Sequence, residues 1–362
     1  MKRAAIVLLC LMLAIPLSGC APTVRLEERL IIRGMAVDFD GQYRITVQAY
    51  RSREEGGEAF TFLSSAGESV YEALDQLEEV SGKLPFYSEL AMIVVGGEAI
   101  AHGLNDLLSG FVQENEIRMG VFVFACEGTA SELIALGGET SSPEDTVIAV
   151  AKAQLSNNVL EASRLYNVVG RMQSLDQDAL LPLLTAEKAQ DGQTVYSARR
   201  VVCFAGETPC LLLGVSETET LGWLLGSASV QNVTAEVSEQ KVYFRPVKAS
   251  SRITAAVEEP SLSFTVQLRQ NYEFLPSHPG VRDGREDEMM RQSKEQLAQD
   301  IVRRSEQLID RLLSEKGSDV FSFGMQLRQQ NPELVKTNQE LLRETIRTSN
   351  IQVEISLNIG EG

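Results

Sequence analysis

The side chains in this sequence best suited to covalent chemistry are the thiols of its five cysteines, Cys10, Cys20, Cys126, Cys203 and Cys210. A cysteine thiol can be modified covalently, can pair as a disulfide or can bind a metal, and its surroundings favour one of these outcomes. The sequence contains no C-x-x-C pair and no cysteine–histidine cluster with the spacing of a zinc site. We therefore expect no metal and no cofactor.

Covalent modification is favoured at Cys20 by the residues that precede it. Two basic residues are followed by an apolar run at 4–17, which is too short to span a bilayer comfortably and is typical of a signal peptide. The run ends in Leu17-Ser18-Gly19-Cys20, which resembles the bacterial lipobox. That resemblance implies cleavage between Gly19 and Cys20 and a diacylglyceryl group on the Cys20 thiol, which would anchor the protein stably. The other interpretations are an ordinary signal peptide of a secreted protein and an uncleaved anchor helix.

A disulfide is one of two alternatives at Cys203 and Cys210, which flank a predicted turn between two apolar runs. Cysteines on facing strands can be bridged when their Cα atoms lie within about 7 Å of each other. The sequence leaves open whether they form a cross-strand disulfide or remain two buried free thiols. Cys126 adjoins the apolar strand predicted at 120–125 and is expected to be a core residue.

Histidines and carboxylates form no recognisable catalytic constellation. The sequence has two histidines, His102 on a predicted helix and His278 in a proline-flanked loop, and neither has the context of a Ser-His-Asp or Cys-His site. With 50 Asp and Glu residues, no single pair indicates acid–base catalysis. The turn at Gly96-Gly97 fits neither G-x-G-x-x-G nor a P-loop. We therefore predict that the chain is not an enzyme.

Charge and length exclude one class of partner and indicate more than one domain. The formal net charge is −17, and removal of Lys2 and Arg3 with a signal peptide would leave about −19. Nucleic acid is excluded as a partner because its recognition needs a basic footprint. The 362 residues exceed what one core usually organises, and 44% hydrophobic residues supply enough apolar material for two or three domains.

The first half of the chain predicts strands and helices in alternation. Polar and apolar residues alternate within 31–50 around Asp40-Gly41, which predicts a β-hairpin. Apolar residues at helical spacing, or short apolar runs, predict the remaining elements. These are helices at 69–79, 98–111 and 146–157 and strands at 90–95 and 120–125.

The second half predicts a strand-rich region followed by a long helix. Strands dominate 191–270, a helix is predicted from about 285 to 314, and a final strand occupies 351–359. The helix carries an apolar stripe of Met290, Leu297, Ile301, Leu308 and Leu312. Such a stripe suits either a coiled-coil seam or a helix lying on a sheet, and we favour the second. The prediction is a multi-domain α+β fold, with antiparallel or mixed sheets covered by helices and a long C-terminal helix.

Composition also suggests where the domains divide. A polar segment around residue 190 is typical of a boundary or a hairpin tip. We predict a signal peptide at 1–19, a lipid-anchored spacer at 20–30 and an N-terminal α+β domain at 31–190. A C-terminal α+β region at 191–362 follows and could form two domains, which would make three in all.

Several motifs, in their order and spacing, resemble the Ger(x)C family of spore germination lipoproteins. The lipobox is followed by the hairpin around Arg33-Gly34-Met35-Ala36-Val37-Asp38 and by Ser81-Gly82-Lys83-Leu84-Pro85-Phe86-Tyr87-Ser88-Glu89-Leu90. Asn115-Glu116-Ile117-Arg118 resembles the family's acidic-Ile-Arg segment. Asp319-Val320-Phe321-Ser322-Phe323-Gly324 and Asn331-Pro332-Glu333-Leu334 resemble its C-terminal signature. The chain departs from the family directly after Cys20, where members usually carry a Trp-Asp/Asn segment.

The resemblance implies a function as well as a fold. It implies a three-domain α+β protein attached by its N-terminal lipid to the outer face of the spore inner membrane. It also implies assembly with two integral-membrane subunits, of A and B type, into a nutrient-sensing germinant receptor in which this chain is a non-catalytic C subunit. The alternative is a solute-binding lipoprotein of a transporter, a class usually built from two lobes of βαβ units. The consecutive alternating strands of the C-terminal half disfavour that alternative.

Overall fold

The computed structural model describes residues 25–50, 60–114, 116–137, 143–237, 240–258, 261–275, 284–337 and 342–361. The strands within these residues form two sheets, each covered by helices. None of the helices in the described ranges combines the length and the apolar composition needed to cross a membrane. The α+β prediction is confirmed.

The first sheet has nine strands in the order β3-β2-β1-β5-β6-β7-β8-β9, and the short β4 pairs with the start of β1. The four central strands β1, β5, β6 and β7 run parallel to one another. On either side of them, β2 pairs antiparallel with β1 and β8 pairs antiparallel with β7. The bounds are β1 Arg29–Phe39, β2 Tyr43–Tyr50, β3 Phe60–Gly67, β4 Leu84–Phe86, β5 Met92–Val95, β6 Phe122–Ala125, β7 Leu180–Lys188, β8 Thr194–Ala205 and β9 Thr208–Leu213. Every residue of β5 and β6 is buried, as expected for parallel strands covered on both faces.

Eight helices are described around the first sheet. They are α1 Val70–Ser81, α2 Gly97–His102, α3 Leu104–Gln113, α4 Ala130–Ala135, α5 Pro143–Gln154, α6 Asn157–Ala162, α7 Leu165–Met172 and α8 Val215–Leu224. Local signals fix the ends of α1, because the Ser69 hydroxyl accepts a hydrogen bond from the Glu72 N–H at 3.1 Å and Gly82 follows with φ 65°. The single helix predicted at 98–111 is two helices, α2 and α3, because the chain breaks at Gly103, where φ is 146°.

The second sheet has the order β10-β11-β12-β13. Its strands are β10 Val233–Val237, β11 Gln240–Glu258, β12 Ser261–Leu275 and β13 Asn350–Glu361. The first three are antiparallel, whereas β13 lies parallel to β12, so the sheet is mixed. The helices are α9 Gly284–Ile309, a π-helical continuation Asp310–Glu315, α10 Phe323–Gln330, α11 Pro332–Thr337 and α12 Leu342–Arg347.

The long helix α9 lies on the second sheet against β10 and β13. Leu297, Ile301, Leu308 and Leu312 of its apolar stripe are buried in a core that also contains residues of the first sheet. The stripe is therefore the face of a helix packed on a sheet, as favoured from the sequence, and one continuous core joins the two sheets.

The strand-rich region predicted at 191–270 is divided between the two sheets. Strands β8 and β9 complete the first sheet, and the second sheet begins only after α8. The polar segment around residue 190 is the tip of the hairpin formed by β7 and β8, which is the second of the two alternatives that its composition suggested. The alternation of polar and apolar residues identifies a strand but does not reveal which sheet the strand joins.

Candidate functional site

The predicted acylation site lies outside the described residues, which begin at Arg25. Cys20, the cleavage position after Gly19 and the His278 loop are therefore known from the sequence alone. The spacer at 20–30 enters the described part of the chain at a short 3-10 helix, Leu26–Glu28, directly before β1.

The three described cysteines are free thiols. Cys203 pairs in register with Leu211, and a register shift follows it, so Cys210 does not lie directly opposite Cys203. The Cys210 thiol donates a hydrogen bond to the Cys203 carbonyl oxygen at 3.3 Å. Of the two alternatives that the sequence left open, the structure contains the free thiols and not the disulfide. Burial raises the pKa of both thiols and raises that of Cys126 to about 12, so none is an activated thiolate.

His102 is held in an aromatic cluster. Its ring stacks on Phe39 with centroids 3.7 Å apart and meets Tyr43 edge-on at 5.7 Å. Within the described ranges, no group of three His, Cys, Asp or Glu side chains is arranged to hold a metal ion. The arrangement of His102 is that of a packed ring at the end of α2.

A carboxylate in the first sheet fixes the start of a helix. Asp38, near the end of β1, accepts hydrogen bonds from the backbone N–H groups of Ala130 at 2.6 Å and Ser131 at 3.0 Å. These are the first two residues of α4, whose N–H groups have no partner within the helix. Gly96 allows this approach, because a Cβ atom there would collide with the Asp38 carboxylate. The Gly96-Gly97 turn therefore makes room for the Asp38 side chain.

A second carboxylate, Asp178, is buried between the two halves of the chain. Its side chain is 1% exposed and lies in the segment between α7 and β7. It accepts hydrogen bonds from the Gly206 N–H at 2.8 Å, the Asp319 N–H at 2.7 Å and the Arg343 guanidinium at 3.0 Å. In return, the Asp178 N–H donates to the Asp319 carbonyl oxygen at 2.9 Å. A buried carboxylate with this number of donors is well compensated for its loss of water.

Asp319 caps a helix from inside this cluster. Its carboxylate accepts the N–H groups of Phe323 at 2.9 Å and Gly324 at 2.8 Å, at the start of α10. Burial raises the pKa of Asp319 to about 6, and the Asp178 carboxylate adds to this, although the two N–H bonds and the Arg171 guanidinium act in the opposite direction. Ser322, the residue directly before α10, has φ 69°, a left-handed conformation rare outside glycine.

Further contacts complete the cluster. Arg171, from α7, donates to the carbonyl oxygens of Asp178 and Val320, both at 3.0 Å. Gly324 lies directly against the 174–178 segment, because a Cβ atom there would stand 2.6 Å from the Asp176 carbonyl oxygen. We call the cluster of Arg171, Asp178, Asp319, Gly324 and Arg343 the junction. It joins the N-terminal and C-terminal halves through backbone and side-chain hydrogen bonds.

Sequence reasoning found only part of the junction. The segment from Asp319 to Gly324 was noted as a motif, but Arg171, Asp178 and Arg343 were not singled out. Asp178 is 141 residues away from Asp319, and no local pattern indicates that they meet. One signal was available, since Asp178 directly precedes the apolar run that forms β7.

Two family models match almost the whole chain. Residues 22–186 match the spore germination protein N-terminal domain, and residues 212–361 match the spore germination B3/GerAC-like C-terminal domain. The chain belongs to the Ger(x)C family. The junction connects the two matched parts, because Arg171 and Asp178 lie in the first and Asp319 and Arg343 in the second.

Relatives and a solved structure agree with the Ger(x)C assignment. The chain is 21% identical to spore germination protein B3 of Bacillus subtilis (strain 168), over 92% of this chain and 91% of the relative. It is 20% identical to spore germination protein YndF of the same organism, over 98% and 95%. Its fold resembles the crystal structure of the GerBC protein with a TM-score of 0.57 and 16% identity, covering 92% of this chain and 99% of the other. Ger(x)C membership supports a C subunit of a spore germinant receptor.

Proposed function

We propose that this chain is the lipid-anchored, non-catalytic C subunit of a nutrient germinant receptor on the outer face of the spore inner membrane. The observation that carries the proposal is the match of both Ger(x)C domains, in order, along nearly the whole chain. Family membership favours this function over a solute-binding lipoprotein of a transporter.

Attachment through Cys20 is supported by the lipobox-like sequence and by the short distance to the folded body. Four residues lie between Cys20 and Arg25, where the described chain begins, so five Cα–Cα steps join the two. A fully extended segment of that length reaches about 18 Å. An acylated Cys20 would thus hold the start of β1 close to the lipid surface.

A scaffolding role is supported by the chemistry of the described residues. The thiols have raised pKa values, His102 is stacked on an aromatic ring, and the buried carboxylates Asp178 and Asp319 are occupied by backbone and guanidinium donors. Of these groups, Asp178 and Asp319 connect the two halves of the subunit. A rigid extramembrane body of this kind suits assembly with the integral-membrane A and B subunits.

Replacing the acceptor cysteine tests the anchor. In cells that sporulate while fed a labelled fatty acid, the wild-type chain should incorporate label and sediment with membranes, whereas Cys20→Ala should do neither. Cys210→Ala is the matched control, because it removes a thiol without touching the lipobox, and it should remain labelled. Label retained by Cys20→Ala would contradict the proposed anchor.

The receptor role is tested separately by germination. Spores lacking this chain should lose the response to at least one nutrient, and restoring the wild-type chain should recover it. Unchanged responses to every nutrient, in a strain in which the other C subunits are also deleted, would contradict the proposed function.

A further inference from the structure

The two edges of the second sheet differ in how their backbone groups are satisfied. On one side, β10 covers only residues 240–244 of β11. Further along β11, the Gln330 side chain accepts the Ala255 N–H at 2.9 Å and donates to the Ile253 carbonyl oxygen at 3.0 Å, as a neighbouring strand would. This edge therefore presents a five-residue strand and a segment that α10 already occupies.

The opposite edge is β13, which is open along its length. Its twelve residues pair one-to-one with β12, without a bulge. On the other side, β13 forms no backbone hydrogen bond with any residue that the structure describes. The strand contains no proline and no lysine, which are residues that commonly protect an edge. A long, regular and unprotected edge of this kind is a template for another strand.

The apolar side chains along β13 are incompletely covered. Apolar residues that face the core alternate with exposed polar residues along the whole strand. Of the apolar residues, Val353 and Leu357 are buried. The other three, Ile351, Ile355 and Ile359, are only half-buried although they pack against the same core. A strand added beside β13 would remove more of their surface from water, which is favourable.

The apolar face of β13 is complementary to itself in the antiparallel direction. When two copies of the strand are paired about Ile355, this residue lies opposite its own copy. Ile351 then lies opposite Ile359, and Val353 lies opposite Leu357. All five apolar residues thus meet an apolar residue of the second copy on the same face of the sheet. Pairs of this kind are the unit of stabilisation between strands.

The polar face of β13 is compatible with the same register. Glu354 lies opposite Ser356 of the second copy, so the two copies do not bring their Glu354 side chains directly together. A slip of one residue would place the apolar residues of one copy beside the polar residues of the other. The pattern of the strand therefore specifies one register as well as one direction.

We propose that two copies of this chain associate through β13, which pairs antiparallel with itself about a two-fold axis at Ile355. The two four-stranded sheets then become one continuous sheet across the contact. Because each copy uses the same surface, the contact closes at two copies and leaves no further open β13 edge. The inference goes beyond the proposed function and does not rest on the lipid anchor or on the membrane partners.

The first test measures the mass of the purified mature chain, residues 20–362, by light scattering over a dilution series. Cys20→Ala is included throughout, so that no attached lipid can drive association. The chain should approach twice the monomer mass as its concentration rises. Ile355→Lys should weaken the association about tenfold or more, because it places two lysines opposite each other at the axis. Ile253→Lys is the matched control, since it alters a half-buried isoleucine at the occupied edge of the same sheet, and it should leave the mass unchanged.

A cysteine at the axis tests the register. Facing residues of an antiparallel pair have Cα atoms about 4.5–5.5 Å apart, which is within the range of a disulfide. Ile355→Cys should therefore form a disulfide-linked dimer under mild oxidation. Ile351→Cys is the control on the same strand, because in this register the two copies of residue 351 are about 27 Å apart along the strands. It should not be cross-linked.

Salt distinguishes this contact from an association between charged surfaces. The formal net charge of the chain is −17, so two copies repel each other. An association through backbone groups and apolar side chains should therefore strengthen as salt screens the repulsion. Weaker association at higher salt would instead indicate contacts between opposite charges and would overturn the proposal.

Three further results would overturn the proposal. They are a monomer at every concentration, an equal loss of association in Ile253→Lys and Ile355→Lys, and equal cross-linking of Ile351→Cys and Ile355→Cys. Thermal unfolding of each variant establishes that it is folded. The cross-linking comparison remains decisive if Ile355→Lys fails to fold, because it uses a different substitution of Ile355.

Discussion

Two aspartates in this protein do the same local task in different settings. Asp38 and Asp319 each accept two backbone N–H groups at the start of a short helix, α4 and α10. Asp38 is half-buried and connects elements of the first sheet, whereas Asp319 is buried beside Asp178 and connects the two halves of the chain. A glycine lies beside each cap: Gly96 leaves room for the Asp38 carboxylate itself, whereas Gly324 leaves room for the backbone of Asp176.

The difference shows how a common helix cap becomes a connection between domains. The Asp38 carboxylate accepts hydrogen bonds from the first N–H groups of one helix, and this contact could be lost without leaving another charged group without its partner. At the junction, Asp178 also accepts the Asp319 N–H and the Arg343 guanidinium, so removal of one group leaves several others without partners. We therefore expect larger effects at the junction than at the Asp38 cap, for the same kinds of substitution.

The largest effect is expected for Asp178→Ala. It leaves the Gly206 and Asp319 N–H groups unsatisfied inside the protein and removes the partner of Arg343. Loss of one member of a buried ionic cluster typically costs about 3–5 kcal/mol. Chemical denaturation should show this decrease in the free energy of unfolding. Asp75→Ala, an exposed control on α1, should change it by less than about 0.5 kcal/mol, and comparable effects of the two substitutions would refute the junction.

The next effect is a pH dependence at the junction. The folded pKa of Asp319, about 6, lies above the usual value of 3.8, so the folded protein binds more protons than the unfolded chain between these values. The contribution of Asp319 to stability is therefore largest below about pH 4 and falls as the pH rises to about 6. The stability of the wild type minus that of Asp319→Asn should decrease by up to about 3 kcal/mol between pH 4 and pH 7. A difference that increases over this range would contradict the raised pKa.

A pair of glycine substitutions compares the two caps directly. A Cβ atom at Gly324 would meet backbone atoms of Asp176, whereas one at Gly96 would meet the end of the Asp38 side chain, which can move aside. Gly324→Ala should therefore cost about 2–3 kcal/mol and Gly96→Ala about 1–2 kcal/mol. Thermal unfolding of both variants measures this order, and a larger loss for Gly96→Ala would show that the comparison is wrong.

The smallest effect is expected for Asp38→Ala. It removes a half-buried cap of α4 and should lower the free energy of unfolding by about 1–2 kcal/mol. Asp38→Asn retains one acceptor oxygen and should fall between this variant and the wild type. Hydrogen exchange at Ala130 and Ser131 should increase in Asp38→Ala, and unchanged protection there would mean that the cap contributes nothing.

The elements that the sequence predicted well are those with local causes. The alternation around Asp40-Gly41 predicted the β1–β2 hairpin, and the spacing of Leu297, Ile301 and Leu308 predicted a helix on a sheet. The break between α2 and α3 was missed because the apolar pattern continues through Gly103, whose backbone conformation ends the first helix.

Contacts between distant parts of the chain could not be predicted in this way. The parallel pairing of β13 with β12, and the meeting of Asp178 with Asp319, depend on the path of the chain and not on any local pattern. The free Cys203 and Cys210 thiols lie beside a register shift between β8 and β9, which the spacing of the two cysteines does not reveal.

The most direct test of the proposed function is to purify the tagged chain from detergent-solubilised spore membranes. Mass spectrometry would identify the proteins that accompany it and the modification of its N-terminal peptide. We predict two integral-membrane receptor subunits, of A and B type, and a mature N-terminus at an acylated Cys20. A transporter permease in their place, or an unmodified N-terminus without membrane partners, would contradict the assignment as a lipid-anchored receptor subunit.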